Sequence, residues 1–167
     1  MKIPIQLEPA GEATPGVDYR WDPDTEILSA QVKPQSSGTG LSGSVGLEGA
    51  DGSWLILDVS SGRINGIEVA VWPDVHTRRS LQPPGTVEDL SITVPARRSQ
   101  TGVASMEFET PVLAETDEAE RVFHFTLGHR RQTRTVRLAR DLLLDVDASN
   151  HLAGLWLLNV PPFPVQV

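Results

Sequence analysis

Short stretches of alternating apolar and polar residues recur along the chain. Val17, Tyr19 and Trp21 alternate with Asp18 and Arg20. Ile67, Val69 and Val71 alternate with Glu68 and Ala70, and Phe123, Phe125 and Leu127 alternate with His124 and Thr126. A period of two is the spacing of a half-buried β-strand. The 14 glycines and 13 prolines interrupt these runs every few residues, which favours many short strands over long helices. Trp54–Val59 and Leu142–Val146 are apolar on both faces except for Asp58 and Asp145, so both strands are expected to be covered on both sides. A helix is the alternative over 130–146, where Val136, Ala139, Leu142 or Leu143, and Val146 fall near helical spacing.

The strands form an internal repeat. Leu57-Asp58-Val59, a turn and Ile64-Asn65-Gly66-Ile67-Glu68-Val69 match Leu144-Asp145-Val146, a turn and Leu152-Ala153-Gly154-Leu155-Trp156-Leu157. Both turns are rich in turn-forming residues, which predicts two β-hairpins. Upstream, each copy carries a strand, an acidic turn and a strand: Tyr19 to Leu28 through Asp22-Pro23-Asp24-Thr25-Glu26, and Leu113 to Phe123 through Asp117-Glu118-Ala119-Glu120. The segment aligned with 130–146 in the first copy contains Gly43, Gly46, Gly49 and Gly52, which suit a helix poorly, so the repeat argues for strand there. The expected fold is all-β. Two related antiparallel β-meander units pack as a sandwich or barrel with pseudo-two-fold symmetry. The first unit spans 1–76, a connector with a strand at Leu90–Val94 spans 77–100, and the second unit with its proline-rich tail spans 101–167.

An acidic hairpin followed by Leu-Asp-Val, a polar turn and Ile-x-Gly-Ile-Glu-Val resembles the bacterial domain-of-unknown-function family 2283, with this chain like two such units in tandem. The second copy departs from the pattern at Leu155-Trp156 and in its longer turn. The family carries no established activity, so the resemblance implies a fold and leaves function open.

Composition narrows the chemistry. The 167 residues include no cysteine, which removes disulfides, thiolate metal sites and a cysteine nucleophile together. No run approaches the length of a membrane span, and Met1–Pro9 lacks the apolar stretch of a signal peptide, so a cytoplasmic protein without membrane contact is expected. The net charge is −8, with 11 acids against 4 bases in residues 1–75, which opposes general nucleic-acid affinity.

Four groups of residues invite a chemical reading. Arg130, Arg131, Arg134 and Arg137, followed by Arg140, form a basic run suited to phosphate or carboxylate. The run is read as an anion or partner patch, as a solvated strand edge, or as the counterpart of the acidic first half. Asp58 and Asp145 hold equivalent places in apolar strands; either each bonds backbone amides of its adjoining turn, or the two form a symmetric carboxylate pair. Asp22, Asp24 and Glu26 alternate as in a calcium loop but lack its length, central glycine and terminal glutamate. His76, His124, His129 and His151 lack metal spacing, and Trp21, Trp54, Trp72 and Trp156 are read as filling the core, with ligand binding as the alternative.

No nucleophile elbow, phosphate loop, dinucleotide fingerprint or zinc-protease motif occurs. The reading is a non-catalytic protein-interaction or regulatory module without a cofactor. The alternative is a small-molecule binder or small enzyme with a pocket between the copies. The apolar tail Asn159–Val167 would expose Val160, Phe163, Val165 and Val167, which suggests a homodimer that buries it as an exchanged arm.

Overall fold

A computed structural model describes residues 2–11, 13–33, 39–96 and 104–164. The described residues form strands, turns and irregular segments, with no helix and hence none long enough to cross a membrane. The first sheet begins with β2 (Val17–Trp21), β3 (Leu28–Val32), β4 (Gly43–Glu48), β5 (Trp54–Ser60) and β6 (Arg63–Val71). The second contains β10 (Val112–Thr116), β11 (Phe123–Leu127), β12 (Thr133–Ala139), β13 (Leu142–Asp147) and β14 (Leu152–Leu157). Region 130–146 is therefore strand.

Neither set of five is a meander. The spatial order is β2-β3-β6-β5-β4 in one sheet and β10-β11-β14-β13-β12 in the other. In each, the first hairpin is followed by a three-strand hairpin series whose last strand pairs back beside the second strand of that hairpin. This is a Greek-key return. The two hairpins expected in series are interleaved, because the fifth strand must cover the open edge of the second.

The copies also exchange strands. β7 (Val75–Thr77), at the end of the first predicted unit, adds in parallel to β10. β9 (Ala104–Glu109), at the start of the second, adds in parallel to β4. The boundaries at 76/77 and 100/101 therefore do not separate the sheets. The two additions attach at non-equivalent edges, so the shared order covers five strands of each six-stranded sheet and no further. Neither sheet closes, which removes the barrel alternative.

The inward faces of both sheets meet in one core, a sandwich arrangement. Leu28, Leu55, Leu57 and Ile67 from the first sheet share it with Phe125, Leu127, Val136, Leu144 and Leu155 from the second. A two-stranded ribbon, β1 (Gln6–Pro9) with β8 (Leu90–Thr93), closes one end. Ile92 of β8 and the flanking Ile3, Ile5 and Val94 are buried in the same core. The strand expected at Leu90–Val94 is present, and it stitches the sheets together. Val94 donates its amide to Gly62, and Leu152 donates its amide to Ile3.

The sequence expectation for β5 and β13 is met in β13 alone. Leu142 to Val146 are all buried. In β5, Leu55, Leu57 and Val59 point into the core while Trp54, Asp58 and Ser60 are exposed. The tail is covered by its own chain where it is described. Val160 is fully buried and donates its amide to Arg121, so this residue needs no neighbouring subunit. Phe163 stays 39% exposed, and Val165 and Val167 lie outside the described residues.

Tyr19 ties the sheets at the other end. Its hydroxyl donates to the Asp141 carbonyl at 2.5 Å and accepts the Leu158 amide at 3.2 Å. Burial pushes the phenol pKa well above its ordinary value, the Leu158 amide opposes this, and the Asp141 charge adds to it. The fold's preference for the neutral phenol is fully in force below the ordinary value of 10.0 and is lost as pH rises through the higher folded value. Tyr19 is the single tyrosine, so phenolate absorbance reports this site alone. It is expected to appear with unfolding, above the ordinary pH. Tyr19→Phe is expected to lower stability by about 1 kcal/mol. A normal titration in a folded chain would contradict this assignment.

Candidate functional site

The predicted carboxylate pair is equivalent in register and divided in space. Asp58 pairs with Gly66 and Asp145 with Gly154, and each is followed by a register shift against the last strand of its series. The inward residues of β5 and β13 flank these aspartates, so both point outward, on opposite sides of the sandwich. No symmetric pair forms. Asp58 is exposed, whereas Asp145 is 6% exposed.

Asp145 bonds side chains rather than the turn amides the sequence suggested. Thr135 Oγ1 donates at 2.9 Å, Trp156 Nε1 at 3.1 Å and His124 Nε2 at 2.8 Å. The turn amides go to Asp147, which accepts from Ser149 and His151 and also from Arg131 Nε. Burial raises the Asp147 pKa, but these amides and Arg131 outweigh it and hold the carboxyl below its ordinary value.

His124 lies between two buried carboxylates. Its ring stacks on Trp156 at 3.9 Å, and Nδ1 lies 3.8 Å from Glu115 Oε1. The other Glu115 oxygen accepts from Arg78 at 2.8 Å. Both ring nitrogens therefore face protein carboxylates. A cavity of about 200 Å³ opens on the cluster itself: Glu115, His124 and Asp145 line it, with His129, Arg130 and Arg131. Among the described residues, no three histidine or carboxylate side chains are placed to hold a metal ion.

The arginines reach one region of the second sheet, where most are engaged. Arg131 bonds Asp147 and the carbonyls of Leu127, His129 and Leu152. Arg134 grips Glu88 with two hydrogen bonds, and Arg137 bonds Asp89. Arg130 is the most open, 67% exposed and 3.7 Å from Glu115. Their acidic counterparts come from the connector and the second sheet, not from the acidic first half.

A different site lies at the junction of the sheets. Trp21 at the end of β2 and Trp72 just after β6 are half-buried and stacked, with centroids 5.6 Å apart. Phe163 meets Trp21 edge-on at 5.3 Å, and Phe123 lies 5.2 Å from Trp72. The indole N–H groups are fixed by the chain itself: Trp21 donates to the Pro161 carbonyl and Trp72 to the Glu26 carbonyl, both at 2.8 Å. These rings line a cleft of about 440 Å³ with Glu26 and Glu120 at its rim.

Both rim glutamates are exposed, and neither carboxylate has an ion pair among the described residues. Both have left-handed backbone, with φ of 62° and 55°. A glutamate costs about 1 kcal/mol in that region, and asparagine or glycine is the usual occupant. Trp21 and Trp72 do pack partly buried against the core, as the sequence reading expected, but the cleft they line was not placed by it. The available signal was the repeated acidic hairpin, since Glu26 and Glu120 come from its two copies.

No protein-family model matches the chain, and no curated protein matches it.

The Asp145 network is tested through its glycine. A Cβ on Gly154 would sit 2.6 Å from Asp145 Oδ2 and 2.8 Å from the Phe125 carbonyl, whereas one on Gly66 would lie 3.4 Å from the Ala30 carbonyl. Gly154→Ala is expected to cost about 1–3 kcal/mol and Gly66→Ala under ~1 kcal/mol. Equal urea midpoints for the two variants would contradict the crowded geometry.

Proposed function

We propose that the chain is a non-catalytic binding module built from two related units, and that it engages a protein partner through the aromatic cleft at their junction. One observation carries this reading. The cleft, the larger of the two at about 440 Å³, leaves aromatic surface and two carboxylates open to solvent, whereas His124 and Asp145, on a cavity of about 200 Å³, are bonded to each other. Large rigid aromatics anchored at one end are the side chains that contribute most to protein interfaces. The shared five-strand order supports kinship between the units, in line with the tandem resemblance.

The second reading, a small-molecule binder between the copies, rests on the same cleft and its volume of about 440 Å³. A catalytic version would use the smaller cavity of about 200 Å³, lined by Glu115, His124, His129 and Asp145, and has less support because His124 and Asp145 are bonded to each other.

Affinity capture with the wild-type chain, Trp72→Ala and His124→Ala separates these readings. Each variant is first shown to be folded by its unfolding midpoint, since truncating a half-buried tryptophan costs about 1–3 kcal/mol. A stoichiometric protein partner is expected with wild type and His124→Ala and is expected to be lost with Trp72→Ala. A partner held by Trp72→Ala but lost with His124→Ala would move the contact to the outer face of the second sheet and overturn the proposal.

A further inference from the structure

We infer that the cleft receives a cationic side chain, arginine or lysine, from a basic segment of the partner. This rests on the preceding reading of the cleft as the contact site and adds the chemistry of its occupant. The walls present the faces and edges of Trp21, Trp72, Phe123 and Phe163, and a cation held within about 6 Å of such a ring is attracted by its quadrupole. The rim supplies Glu26 and Glu120, and among the described residues no basic side chain lines the cleft. An anionic ligand would meet two like charges there. A purely apolar ligand would strip water from both carboxylates without replacing it.

The backbone at these glutamates points the same way. Where the chain takes left-handed backbone at positions 61, 150 and 159 it uses serine and asparagine, short polar residues. At positions 26 and 120, on the cleft rim, it uses glutamate instead. The turn geometry does not ask for glutamate, so the carboxylate is what these two positions offer. Charge on a larger scale agrees: the net charge of −8, most of it within residues 1–75, draws a basic segment toward the chain.

The indole N–H resonances of nitrogen-labelled protein provide the test, with each signal assigned by a Trp→Phe variant. The probes are a short Gly/Ser peptide carrying arginine, the same peptide with uncharged citrulline, and guanidinium ion. The arginine peptide is expected to shift the Trp21 and Trp72 signals and leave those of Trp54 and Trp156 in place. The double variant Glu26→Gln, Glu120→Gln is expected to bind it about fivefold or more weakly, with a similar loss between ~0.05 M and ~0.5 M salt. An equal response to the citrulline peptide would overturn the cationic occupant and leave the cleft as contact site. Guanidinium ion binding as tightly as the peptide would overturn the partner segment as its source. No shift at Trp21 and Trp72 with any probe would end this inference, and movement of Trp54 or Trp156 alone would count against the cleft reading as well.

Discussion

Burial of two apolar sheet faces against each other is the interaction on which the rest of the structure depends. Each five-strand unit has an inward face of aliphatic and aromatic residues that cannot remain in water. Fully burying one leucine or phenylalanine contributes about 1.5–3 kcal/mol, while a hydrogen bond such as that of Tyr19 contributes about 1 kcal/mol net. Apolar burial therefore holds the sheets together. Polar bonds at the ends, from Tyr19 and from the β1–β8 ribbon, fix how the sheets sit. The parallel strands β7 and β9 extend the arrangement, since each crosses from one copy to the sheet of the other.

Positions that match in register between the two sheets have different environments. Register places Ser29, Ser44, Asp58 and Glu68 of the first sheet where the second has His124, Thr135, Asp145 and Trp156. Small polar groups leave Asp58 open to solvent. A large indole and an imidazole stacked on it shut Asp145 in, and three donors then satisfy its carboxylate. A buried polar cluster with matched partners favours a single arrangement of the sheet, whereas an unmatched one would be costly. The cluster is bonded within the second sheet, whereas the cleft presents aromatic surface to solvent.

The fold class was legible because a strand's period of two depends only on near neighbours in sequence. The same holds for the hairpin turns and for the Asp58/Asp145 equivalence, which survives residue by residue in the register. The order of strands was less legible. Nothing in the sequence around Leu28–Val32 distinguishes pairing with β4 from pairing with β6. The arginine run was visible as a run, but its partners Glu88 and Asp89 lie more than forty residues away, where local pattern gives no warning.

The sequence by itself determined an all-β chain, without cysteine chemistry and with an acidic character concentrated in the first half. Those properties are carried by composition and by short-range periodicity. The tertiary structure decided which carboxylates are buried, which arginines are already paired and where aromatic surface stays open. Trp21 and Trp72 are alike in sequence to a core residue such as Phe125. They differ because the junction of two sheets leaves a gap at one end, and a gap is a property of how surfaces meet rather than of the residues that line it.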